Sequence, residues 1–230
     1  MILGVIGGMG PLATCNFFEK IIRLTEADKD QEHIHVIIDN NTQIPDRTDY
    51  ILGRGEDPRP ELIRSALRLE YAGADYLAMP CNTAHYFVDD IKRHTRAKIV
   101  DMIEETALYL KESYPDNRDY LLLATKGTYK SQVYKKTFQK HHLNIIEPSD
   151  DDKDIIMDWI YKVKSSILDI GEEDFKRLID KYVENRQIPV ILGCTELSTL
   201  ADIIGLSIEH VDPMLILAKA CVRLHQNRKK

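Results

Sequence analysis

Met79-Pro80-Cys81-Asn82-Thr83-Ala84-His85 decides the reading of this chain. It puts a thiol and two short polar side chains where an apolar strand, Asp75 to Met79, gives way to a helical pattern, Ala84 to His94. Gly193-Cys194-Thr195-Glu196-Leu197 repeats the arrangement after the apolar run Ile188 to Leu192. The cysteines at 81 and 194 are 113 residues apart. A strand, cysteine and helix that recur at this distance predict a chain built from two similar halves.

Outward from these stretches the pattern alternates throughout. Leu3 to Ile6 reads as a buried strand, Gly7-Gly8-Met9-Gly10 as a glycine turn, and Pro11 as the first residue of a helix to about Thr25. A strand at His35 to Asp39, a long polar loop from Asn40 to Arg59, and a helix from Pro60 to Tyr71 ended by Gly73 lead to the first cysteine strand. Lys98 to Val100 and Met102 to Glu112 add a strand and a helix. The second half repeats the order with a strand at Tyr120 to Ala124, a polar turn Thr125-Lys126-Gly127-Thr128, a helix from Ser131 and a strand at Asn144 to Ile146. Helices over Asp150 to Leu168 and Glu172 to Asn185, a strand at Leu206 to His210 and a last helix, Met214 to Arg223, complete it. Leu3 aligns with Leu121, Met79 with Leu192 and Asp101 with Asp212, at offsets of 118, 113 and 111 residues.

Alternating strands and helices predict an α/β fold with parallel sheets and right-handed crossovers. The expectation is two pseudo-symmetric, doubly wound (Rossmann-like) halves with the active site in the cleft between them. Residues 1–101, completed by the C-terminal helix 212–230, form the first half and 102–211 the second. Ligands in such folds bind beyond the carboxyl ends of the strands, where Cys81, Cys194, the glycine turn and the Thr125 to Thr128 turn all fall.

Composition narrows the function. At 43% hydrophobic and 30% charged residues, with no low-complexity run, the chain reads as globular. Its net charge of −6 predicts no nucleic-acid surface, and the tail Arg228-Lys229-Lys230 reads as a solvated end. The N-terminal apolar run stops at Gly7-Gly8, too short for a signal segment or a membrane span, so a cytoplasmic, membrane-free protein is expected. Cys15, Cys81, Cys194 and Cys221 are far apart and form no Cys-x-x-Cys, which predicts reduced thiols and no metal site. Cys15 and Cys221, inside helical patterns, read as core.

A thiol at a helix N-terminus meets the positive end of the helix dipole and nearby amide donors, which favour the thiolate and lower its pKa. Asn82, Thr83 and Thr195 can cap the helix or bond a carboxylate docked there. A single cysteine ending a strand also serves as plain packing. Two at matching positions of a repeat fit stereoinversion at an acidic carbon, one thiolate removing a proton while the opposite thiol delivers another. A cysteine hydrolase needs one thiolate with a histidine base and leaves the second cysteine without a task. His85, four residues beyond Cys81, reads as surface or structural.

The chain resembles the cofactor-independent aspartate/glutamate racemase family over nearly its whole length, its aspartate racemases above all. The resemblance rests on Gly4-Val5-Ile6-Gly7-Gly8-Met9-Gly10-Pro11, Ile44-Pro45-Asp46-Arg47-Thr48, Met79 to His85, and Gly193-Cys194-Thr195-Glu196. It implies that Cys81 and Cys194 are the catalytic thiols and that Asn82, Thr83 and Thr195 hold the substrate's amino-acid end. It places Arg47 and Lys164 at the side-chain carboxylate, and implies a small-molecule substrate, no pyridoxal phosphate and a homodimer. Met9, Thr125 and Thr128, in the two turns at the same edge, complete the expected substrate contacts. Glutamate racemases carry an Asp-Ser pair after the first strand and a His after the second Cys-Thr, where this chain has Gly7-Gly8-Met9 and Glu196. A broader amino-acid racemase of the same branch is the alternative.

A rival from another class is a dinucleotide-binding protein, because Gly8-Met9-Gly10-Pro11-Leu12-Ala13 satisfies G-x-G-x-x-A after a strand. The acidic residue that would hold the ribose belongs about 20 positions on. The second strand instead ends at Asp39, 29 residues after Gly10. A non-catalytic amino-acid-binding module would leave both cysteine motifs without a role.

Overall fold

The computed structural model describes residues 1–183 and 188–227. The expected helix end at Asn185 and the basic tail Arg228-Lys229-Lys230 lie outside the described residues. The first half runs β1 (Ile2–Gly7), α1 (Pro11–Leu24), β2 (His35–Asn40), α2 (Arg47–Ile51), α3 (Arg59–Tyr71), β3 (Tyr76–Ala78), a 3-10 turn (Thr83–Phe87), α4 (Val88–Lys92), β4 (Lys98–Val100) and α5 (Met102–Ser113). The second runs β5 (Asp119–Ala124), α6 (Lys126–Ser131), α7 (Val133–Lys140), β6 (Asn144–Ile146), α8 (Asp150–Lys164), α9 (Glu172–Val183), β7 (Val190–Gly193), α10 (Thr195–Ile204), β8 (His210–Val211) and α11 (Pro213–Asn227).

Two four-stranded sheets result, ordered β2-β1-β3-β4 and β6-β5-β7-β8, and every pairing is parallel. Each sheet is covered on both faces because successive strand residues point to opposite sides. Leu3 and Val5 of β1 join one apolar cluster with Phe17 of α1, while Ile6 joins another with Leu62 and Leu69 of α3. In β5, Leu121 and Leu123 pack on α8 to α10 through Ile160, Phe175 and Leu197, and Tyr120 and Leu122 face Ile103 and Phe138 on the other side. This is the doubly wound pair of halves expected from the sequence. Met214, Leu217 and Cys221 of α11 return to the cluster of Leu3 and Phe17, while Ile216 of the same helix packs with Tyr120 and Leu122 of the second sheet.

Register corrects one alignment. Gly4 pairs with Leu77 as Leu121 pairs with Val190, and Ala78 pairs with Val100 as Ile191 pairs with Val211. The equivalences Met79 with Leu192 and Asp101 with Asp212 hold, whereas the residue equivalent to Leu3 is Tyr120, not Leu121. Both strands are apolar on both faces, so their sequences carry no alternation that sets the register.

Three local structures also differ from expectation. Asp46 accepts from the Asp49 N–H at 2.9 Å and caps α2 inside the long loop. Thr125 caps α6 through the Thr128 N–H, so Thr125 to Thr128 is the start of a helix, which breaks from α7 at Gln132 (φ 57). Cys15 is exposed on α1, because Ala13, Thr14, Phe17 and Ile21 make the buried face and position 15 falls on the other. Cys221 is buried as expected.

Candidate active site

β3 and β7 deliver Cys81 and Cys194 to the carboxyl edges of the two sheets, and both thiols are 6% exposed. They line one narrow cavity between the halves. All the residues singled out from the sequence line it except Thr128: Met9, Arg47, Asn82, Thr83, Thr125, Lys164 and Thr195 stand with the two cysteines. Thr128 is one layer behind, where its hydroxyl, that of Thr83 and that of Thr125 form a buried triangle with sides of 2.9 to 3.0 Å. The cavity opens into a wider, solvent-open vestibule bounded by the Gly8 to Ala13 turn and by Ile44, Val163 and Ser166.

Two glycines allow close approach of backbone near the site. Gly8 has φ +87, and a Cβ there would lie 2.4 Å from the Asn41 backbone. A Cβ on Gly127 would lie 2.8 Å from Thr48 Cα, where α6 of one half meets α2 of the other.

Polar groups in the cavity divide into those already engaged and those left to engage a ligand. Asn82 Oδ1 accepts from Tyr134 O–H at 2.5 Å, and its amide nitrogen is buried with no protein partner. Arg47 is buried, its Nη1 donates to the Ile44 and Pro45 carbonyls at 3.2 and 3.0 Å, and its Nε has no partner. Among the described residues the one other buried side-chain atom of this kind is Ser198 Oγ, which faces the Asp212 carboxylate. Two unpartnered buried donors on residues that line the cavity suit an acceptor-rich ligand such as a carboxylate, since each costs free energy until bonded. Lys164, at the end of α8, has its Nζ 3.8 Å from Asp46 Oδ2. Burial alone would lower its pKa, but the charges of Glu196 and Asp46 outweigh that and push it up, so it stays cationic.

Two acids in the cavity escaped the sequence reading. Glu196, 5% exposed, accepts from Cys194 Sγ–H at 2.9 Å and from Thr195 O–H at 3.4 Å. Asp46 has a pKa below the usual carboxylate value: burial opposes this, but the Asp49 amide and the charges of Lys164 and Arg47 prevail. Asp46 had a legible signal, since Asp three residues before Asp49 at a helix start is an N-cap pattern. Glu196 had only its place beside Cys194.

The expected lowering of the thiol pKa is not found at Cys194. Burial pushes this thiol well up, and the Glu196 charge adds to it; Lys164 and the Glu196 amide oppose without prevailing. On the other wall no α-helix begins at Cys81, because a 3-10 turn follows it and the dipole argument loses its basis. His85 is buried and structural. Its Nε2 accepts from the Met102 N–H at 3.1 Å, so its Nδ1 carries the proton and donates to the Cys81 carbonyl at 2.9 Å.

The glycine turn is not set up for a pyrophosphate. Glu196 Oε1 lies 3.2 Å from where a Gly10 Cβ would be, which puts a carboxylate against the turn, and Asp39 is paired with Arg68 at 3.2 Å. Among the described residues no group of three or more His, Cys, Asp or Glu is placed to hold a metal ion, and no helix is long and apolar enough to cross a membrane.

Residues 6–221 match the family model for Asp/Glu/hydantoin racemases. The chain belongs to this family. The racemase fold is shared in detail with the aspartate racemase of Picrophilus torridus, at 30% identity and a TM-score of 0.85 over 98% of this chain and 94% of that one. An aspartate racemase homologue from Pyrococcus horikoshii OT3 matches at 29% identity and a TM-score of 0.77, over 97% and 98% of the two chains. The broad-specificity amino-acid racemase RacX of Bacillus subtilis (strain 168) is 26% identical over 96% of both chains. The chain is thus an amino-acid racemase by family, and an isomerase by class.

Proposed function

We propose that this racemase interconverts L- and D-aspartate by a two-base mechanism, with Cys81 and Cys194 on opposite faces of the α-carbon and no pyridoxal phosphate. One observation carries the reading: two buried thiols at equivalent positions of the two halves line a single cavity. One sulfur takes the α-proton as thiolate, and the other gives its S–H proton to the opposite face. Asn82, Thr83 and Thr195 hold the α-carboxylate, and donors fixed there stabilise the charge that develops as the α-proton leaves. Arg47 and Lys164 hold the β-carboxylate, the first as a planar fork and the second as a point charge. Assembly as a homodimer and a cytoplasmic setting belong to this proposal.

The solvent-open vestibule beside the cavity favours a second reading, a racemase that also accepts other side chains. Circular dichroism of L-aspartate, and in parallel of L-alanine and L-serine, incubated with purified protein and no cofactor separates the two. Loss of optical activity for aspartate far ahead of the others supports the first reading, and comparable rates support the second. No change with any substrate would refute both.

A further inference from the structure

The mechanism above asks one sulfur to be a base while the other is an acid, and the two surroundings are unlike. Cys194 Sγ–H donates to Glu196 Oε2 at 2.9 Å inside the cavity. The offset of 113 residues that relates Cys81 to Cys194 relates Thr83 to Glu196. Beside Cys81 the corresponding position therefore holds a neutral hydroxyl, engaged with Thr125 and Thr128, rather than a carboxylate. The halves are related in fold and differ at the one position that sets the proton balance of its cysteine.

We infer that Glu196 keeps Cys194 protonated between turnovers and so assigns the thiols opposite resting roles, Cys194 as proton donor and Cys81 as base. The inference rests on the racemase reading. In turnover the Cys81 sulfur, acting as thiolate, takes the α-proton, and the C–H electron pair stays on the α-carbon. Cys194 then gives its Sγ proton to the opposite face and keeps the S–H electron pair as thiolate. Proton exchange with water restores the Cys194 thiol, favoured by the Glu196 charge, and removes the proton gained by Cys81.

The groups that bear on this pair from neighbouring elements agree with it. Lys164 of α8, with Asp46 and Arg47 at the start of α2, lines the same cavity, and Lys164 and the Glu196 amide oppose protonation of Cys194 without prevailing. Tyr129 of α6 and Tyr134 of α7 are pushed far up by burial and stay neutral. Gly10 leaves the room that the Glu196 carboxylate occupies.

Alkylation of Cys194 by iodoacetamide, followed by peptide mass mapping in Cys81→Ser and Cys81→Ser/Glu196→Gln proteins, tests the pairing without relying on racemisation. Near neutral pH the Gln variant should react about tenfold faster or more, one pKa unit being tenfold in thiolate. Glu196→Asp, which keeps the charge, should react like the parent. An equal or slower rate in the Gln variant overturns the inference. In the two-cysteine enzyme Glu196→Gln should shift the alkaline limb of kcat/KM to lower pH, with KM for aspartate within about threefold of wild type. An unmoved limb with a raised KM would make Glu196 the partner of the substrate ammonium and also overturn it. If wild type does not racemise aspartate, the racemase reading fails by itself and the alkylation rates still decide the Glu196–Cys194 pairing.

Discussion

Truncating Arg47 to alanine perturbs the proposed side-chain site at its most constrained member. The guanidinium is 8% exposed, donates through Nη1 to two carbonyls of its own loop, and holds a buried Nε with no protein partner. Its orientation is therefore fixed before substrate arrives, and little ordering cost remains when a carboxylate binds. Leaving a desolvated carboxylate without its cation costs about 2 to 5 kcal/mol, or roughly 30-fold to several thousand-fold in kcat/KM. Arg47→Lys should recover only part of the loss, because an ammonium cannot bond the loop carbonyls and present a fork at once. Steady-state kinetics on aspartate, with alanine or serine as references lacking the β-carboxylate, give the assay. A large loss for aspartate and a small one for the references is the expected outcome. Equal losses would assign Arg47 to the α-carboxylate or to the loop alone, and would remove the main physical support for aspartate as substrate.

Cys81→Ser and Cys194→Ser should each abolish racemisation and leave the far-UV circular dichroism unchanged; full activity in either sinks the two-base mechanism. Thr83→Val, which leaves the Thr125 and Thr128 hydroxyls of the buried triangle short of a partner, should cost about 1 to 3 kcal/mol in urea unfolding and lower kcat; unchanged stability would mean that the triangle is not an energetic unit. Asp46→Ala should cost about 1 kcal/mol near neutral pH through loss of the α2 cap. Because the folded-state pKa of Asp46 is depressed, that contribution is present above the ordinary value of 3.8 and lost as pH falls through the folded value, so the gap between wild type and variant should shrink at strongly acid pH. A gap that does not depend on pH would count against the assignment.

Much of this architecture was legible from local pattern. Leu3 to Ile6 and Ile188 to Leu192 are apolar runs too short for helices and flanked by glycine, and their alternation with helical stretches was enough to predict two parallel sheets. The cysteine motifs could be placed because a parallel sheet puts every strand's carboxyl end on one edge. What escaped depends on distance or on balance. Tyr134 donates to the Asn82 side chain from 52 residues away, which no spacing rule reports. The 3-10 turn at Thr83 belongs to a segment whose His85 ring bonds the Cys81 carbonyl and the Met102 amide, a tertiary arrangement that overrides helical pattern. At Cys194 the helix dipole favours the thiolate while burial and Glu196 favour the thiol, and only the structure shows which prevails. Cys15 was misplaced because a cysteine in an amphipathic helix takes its environment from its angular position, not from its residue type.

The most direct test of the account is hydrogen exchange at the α-carbon during racemisation. L-aspartate incubated with the wild-type protein in deuterated water, with no added cofactor, should yield D-aspartate carrying deuterium at the α-carbon, seen by proton NMR and chiral chromatography. Wild type should convert it and both cysteine-to-serine variants should fail to invert, although one of them retains exchange without inversion. D-aspartate formed without deuterium, or formed equally well without Cys81 or Cys194, would contradict proton transfer through the two thiols.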